Sequence, residues 1–153
     1  MRSFLMIIAI LFMPCAASAQ AVVAKDPLSV ARALQNAGYK AEMGKDNGGD
    51  PLINSGHSGK GFVILFFGCE KNANCTSIQF YTGFRNTGAD LAKVNRWNED
   101  RRFGRASIDA EGDPVVRMDV DLDFGGMSAA LFRDHIDIWA VVMDKFADHV
   151  GAR

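Results

Sequence analysis

The chain has 153 residues, with 17 Lys plus Arg against 18 Asp plus Glu and a formal net charge of −1. So even a balance argues against a nucleic-acid binder and against electrostatic capture by an anionic membrane. Hydrophobic residues make up 48% of the chain, enough at this length to bury one core without a structural metal.

Residues 1–19 read as an export leader. Arg2 gives a positive start, Phe4 to Met13 form an apolar run, Pro14 breaks it, and Ala17-Ser18-Ala19 is a small-x-small cleavage site. Ala19-Gln20-Ala21 offers a second cut, so cleavage is expected after Ala19 or Ala21. The apolar run is too short to span a bilayer, so no stable membrane anchor is expected after cleavage. Phe12 and Pro14 stand where a lipoprotein signal needs an aliphatic and a small residue, so Cys15 is expected to leave with the leader. The expected location is periplasmic or secreted. Residues 20–153 then read as one domain, with its core at about 26–149.

Asp26-Pro27 opens the first helix, because Asp is a good N-cap and Pro suits the first helical position. Leu28, Ala31, Leu34 and Ala37 recur at helical spacing, and Gly38 ends the run. Short strands are expected at Tyr39 to Met43 and Pro51 to Asn54, separated by the turn-rich Gly44 to Asp50.

Gly61 to Cys69 and Cys75 to Thr82 carry the strongest strand signal and read as a hairpin across Glu70 to Asn74. Centring the turn on Asn72 places Cys69 opposite Cys75, Phe66 opposite Ile78 and Ile64 opposite Phe80. Two thiols directly opposed in an oxidising compartment are expected to pair. Phe62, Ile64, Phe66, Ile78 and Phe80 then share the core face. Val63, Leu65 and Phe67 share the other face with Ser77, Gln79 and Tyr81. That face is too apolar for free solvent, so a helix, a ligand or a partner chain is expected to cover it.

A helix is expected over Ala89 to Asp100, with Leu91, Val94 and Trp97 on its apolar stripe. A second hairpin joins Gly104 to Asp109 with Val115 to Phe124, and its geometry sets Arg105 roughly opposite Asp119. Val116, Met118, Val120, Leu122 and Phe124 alternate with Arg117, Asp119, Asp121 and Asp123, so the first set faces the core. Ser128 caps a last helix whose buried face is Phe132, Ile136, Trp139, Met143, Phe146 and Val150, widened by Leu131, Ile138 and Val142. The class is α+β, an antiparallel sheet with helices on one face. The expected order is one helix, two to four strands, a helix, two strands and a helix.

Motifs for chemistry are weak. Gly56-His57-Ser58-Gly59-Lys60-Gly61 lacks the glycine and hydroxyl positions of a phosphate loop and precedes a strand, so it reads as a tight turn. Asp119, Asp121 and Asp123 resemble the start of a calcium loop, but Phe124 and Ala130 stand where Gly and Glu are needed. His57, His135 and His149 have no ligand spacing, and Cys69 and Cys75 lack the C-x-x-C spacing of a redox helix. No enzyme, cofactor or metal site is expected. Asn95-Arg96-Trp97-Asn98 followed by Arg101-Arg102-Phe103 has two readings, a core Trp with solvated flanks or a recognition patch.

These residues also carry a resemblance. Val94-Asn95-Arg96-Trp97-Asn98, Arg102-Phe103-Gly104-Arg105-Ala106, Asp119 to Leu122 and the Phe-rich, Trp-bearing last helix resemble the YbjN family, labelled as a bacterial sensory transduction regulator. Ala33-Leu34-Gln35-x-x-Gly38-Tyr39 and Ser77-Ile78-Gln79-Phe80 fit exported members, and the likeness spans about Asp26 to His149. The resemblance implies a fold like that of type III secretion chaperones and implies no catalytic residues. Cytosolic members are linked to regulation of stress and motility, a role the leader removes from reach here.

The expectation is a non-enzymatic periplasmic module that binds an unidentified protein, or a second copy of itself, without nucleic acid. Its candidate surface is Val63, Leu65, Phe67, Tyr81, Arg96, Trp97, Asn98 and Arg101. The alternative is a carrier that holds a small apolar ligand or lipid between sheet and helices.

Overall fold

The computed structural model describes residues 21–152, so the expected leader and Cys15 lie outside the described residues. The first helix, α1 (Pro27–Asn36), starts as its sequence suggests, with Asp26 Oδ1 accepting from Leu28 N at 3.1 Å. Four strands follow, β1 (Glu42–Lys45), β2 (Pro51–His57), β3 (Lys60–Phe67) and β4 (Ser77–Gly83). Then come α2 (Leu91–Asp100), β5 (Arg105–Ile108), β6 (Pro114–Asp121) and α3 (Ala129–Val150). All six strands form one antiparallel sheet in the order β1-β2-β3-β4-β6-β5.

The Gly56–Gly61 stretch is a tight turn: Ser58 (φ 49°) and Gly59 (φ 77°) are both left-handed, as a two-residue hairpin requires. The β3–β4 pairing has the expected register, with Phe66 opposite Ile78 and Ile64 opposite Phe80, and Cys69 is bonded to Cys75. The second hairpin is shifted. Arg105 faces Arg117, and its ion pair with Asp119 (3.6 Å) runs diagonally between exposed side chains.

The core lies between the sheet and the three helices. Phe62, Phe80, Phe132 and Trp139 fill its centre, with the Trp139 ring 5.5 Å from Phe80 and 6.0 Å from Phe62. Four side chains that belong to the apolar patterns of the helices and the last strand are not buried. Leu28, Leu91 and Leu131 are exposed in the first turns of α1, α2 and α3. Helical side chains tilt toward the N-terminus, which carries first-turn residues past the layer they would otherwise cover. Phe124 is 99% exposed because β6 ends at Asp121 and the chain turns away.

Candidate interaction surface

The core side chains of the strands and the buried faces of all three helices meet on one side of the sheet. Among the described residues, no helix covers the other side. Three in-register rows cross that open face. Leu52, Leu65, Gln79 and Asp119 form one; Asn54, Val63, Tyr81, Arg117 and Arg105 form the next; Phe67, Ser77 and Asp121 form the third. Each row runs from apolar or neutral residues to charged ones, so the face is apolar over β3 and charged over β6. Val63, Leu65 and Tyr81 are half-buried among their neighbours, and Phe67 is 45% exposed.

Side-chain bonds fix the charged half. Gln79 donates to Asp119, and Arg117 donates to Ser107 Oγ while its guanidinium lies 5.1 Å from the Tyr81 ring centre. Burial pushes the Tyr81 hydroxyl above its ordinary pKa. Arg117 opposes this shift, and Asp109, Glu111 and Asp113 add to it.

Tyr81 therefore sits beside a negative region at the β5–β6 turn. A Cβ at Gly83 would lie 3.8 Å from Tyr81 Oη and 2.9 Å from Val115 Cγ1, so the phenol oxygen and Val115 both lie close to Gly83. Two hollows meet at Tyr81 and Gly83. One, of about 260 Å³, is floored by Gly61 and walled by Asn54 and Val63; the other, of about 410 Å³, is walled by Arg85, Asp109, Glu111 and Asp113.

The Arg96–Arg101 block lies apart from this face, at the corner between α2 and β5, and it is largely architectural. Trp97 is only 1% exposed, and its Nε1 donates to Gly104 O at 2.6 Å. Gly104 adopts φ 82°, and a Cβ there would come within 2.5 Å of Val142 Cγ1, so the corner closes only around glycine. Asn98 Nδ2 donates to Ala106 O (3.1 Å) and Asn98 Oδ1 accepts from Ala106 N (2.9 Å). Trp97 thus fills the core, as the reading of a core Trp with solvated flanks expects, while Asn98 binds the edge strand from an exposed position. Arg101 stacks 5.5 Å over Trp97, while Arg96 lines a separate hollow with Lys93 and His149.

A second polar cluster has no signature in the sequence. Asp144 on α3 lies 3.1 Å from His57 Nε2 and accepts from Lys60 Nζ at 3.2 Å, across 87 and 84 positions of chain. Burial raises the Asp144 pKa, but the bonds from Lys60 and His57 outweigh it and hold the carboxyl below its ordinary range. The Tyr39 ring packs 5.9 Å from His57. This cluster clasps the β2–β3 turn to α3. Asp119 and Asp121 project from β6 to solvent, and Asp123 lies beyond the strand with its Oδ1 accepting from Phe124 N. Among the described residues, no three His, Cys, Asp or Glu side chains converge as metal ligands would.

The model of the YbjN family, described as "Putative bacterial sensory transduction regulator", matches residues 26–152. No curated protein and no solved structure matches the chain. With the match running from the cap of α1 past the end of α3, the chain belongs to the YbjN family.

Proposed function

We propose that this protein is a non-enzymatic regulatory module, exported to the periplasm, that engages a protein partner through the open face of its sheet. The observation that carries this reading is the row Val63, Leu65 and Phe67 with Tyr81, an apolar centre that no helix of the described residues covers. Faces of this kind on soluble proteins mark interaction sites. The family resemblance implies a fold like that of secretion chaperones, and a binding fold of that sort needs no reacting groups. The carrier alternative needs room between sheet and helices, and Phe62, Phe80, Phe132 and Trp139 fill that space.

The test is photocrosslinking in intact cells. A crosslinking residue replaces Leu65 on the open face or Lys145 on the helical side. Capture of one protein at Leu65, absent at Lys145 and lost with Tyr81→Asp, supports the reading. Equal capture at both positions, or none at Leu65, counts against it.

A further inference from the structure

Gly61 has no conformational need to be glycine. It is the second residue of β3, has no positive φ, and a Cβ added there would meet nothing within 4 Å. Glycine in a strand interior weakens the strand and often marks a place where another backbone or ligand comes close. Here its missing side chain opens the floor of the hollow beside Val63 and Tyr81, on the open face.

That hollow borders on the second one. Both are lined by Tyr81 and Gly83, so an occupant that crosses Tyr81 reaches from an apolar trough to the space at the β5–β6 turn. The second space is negative. Asp109, Glu111 and Asp113 line it against the single cation Arg85, and among the described residues none of these acids joins an ion pair. Arg117, the cross-strand partner of Tyr81, is already engaged by Ser107 and the phenol ring.

From this adjacency we infer that the paired hollows beside Gly61 and Gly83 take a peptide segment of a partner protein. The segment lays an apolar side chain in the trough and the Lys or Arg beside it among Asp109, Glu111 and Asp113. The inference rests on the sheet-face reading and adds the chemistry of the partner. Charge complementarity selects a basic residue, and the trough selects its apolar neighbour. An acidic segment is rejected by the same carboxylates.

The test is selection of random displayed peptides on the purified protein, followed by fluorescence anisotropy with the most enriched peptide. Enriched sequences should pair an apolar residue with Lys or Arg. Both Gly61→Leu, which plugs the trough, and Glu111→Lys, which reverses a wall charge, should weaken binding by about tenfold or more. Glu111 is exposed, so its variant keeps the test valid should Gly61→Leu disturb the strand.

No enrichment, enrichment without a basic residue, or binding insensitive to both variants overturns the inference. So does a wild-type dimer that Gly61→Leu converts to monomer, since a second copy would then hold the groove. Peptide recognition that fails while Leu65 still captures a partner removes only this inference. Loss of both removes the sheet-face reading as well.

Discussion

Asn98 and Ala106 form a closed pair: the Asn98 amide donates to the Ala106 carbonyl and its oxygen accepts from the Ala106 amide. One side chain of α2 thus takes the place of a neighbouring strand at the outer edge of β5, which is the end of the sheet. Unpaired edges invite pairing with other chains. Asn98→Ala should therefore cost about 1–3 kcal/mol, because it leaves both backbone groups without a partner. Urea denaturation measures it, and a loss below about 0.5 kcal/mol would show the pair to be idle.

Phe124 combines near-complete exposure (99%) with a left-handed backbone, φ 50°. A bulky residue is disfavoured there, whereas Asn tolerates the conformation. Phe124→Asn should raise stability by about 0.5–1 kcal/mol in the same measurement. A clear loss would mean that Phe124 packs in the folded protein.

The bond between Cys69 and Cys75 closes a short loop whose Lys71, Asn72 and Asn74 are all left-handed. Asn72 Nδ2 in turn bonds Gly48 O and Asp50 Oδ1, which ties this loop to the β1–β2 turn. Replacing both cysteines by Ala should cost about 2–3 kcal/mol. Alkylation of the unreduced protein, read by peptide mass, should leave Cys69 and Cys75 unmodified; labelling of both contradicts the bond.

The Asp144 carboxyl is held below its ordinary pKa by Lys60 and His57, against the effect of burial. A depressed carboxylate contributes stability above the pKa of the unfolded chain, about 3.9. That contribution disappears as pH falls through the lower folded value. Wild type should exceed Asp144→Asn at neutral pH, by a modest margin because the side chain is 41% exposed and salt screens it. The gap should close below about pH 4. A gap constant down to low pH would place the difference outside this ionisation.

The hairpin register and the buried face of α3 were legible because alternation and helical spacing act over adjacent residues. Loop length alone put Phe66 opposite Ile78. The exposed hydrophobics of these patterns share a cause. Leu28, Leu91, Leu131 and Phe124 all sit at or beyond element ends, where periodicity continues on paper but the packed layer does not. The sequence left two readings of Trp97 and Asn98 open, because an aromatic among Arg and Asn looks the same at an interface and at a helix–strand corner. What separates the two is the bond to Gly104, visible only once the corner is folded. The Asp144 clasp joins residues more than eighty positions apart and left no local trace.

The central claim is that the open sheet face is held by a partner in the cell and free in the isolated protein. Side-chain oxidative footprinting of Leu65, Phe67 and Tyr81 tests it most directly, on the purified monomer and in intact cells. The account requires ready labelling in the monomer and protection in cells, with Lys145 equally accessible in both. Protection in the isolated monomer, or equal labelling in both settings, would contradict it.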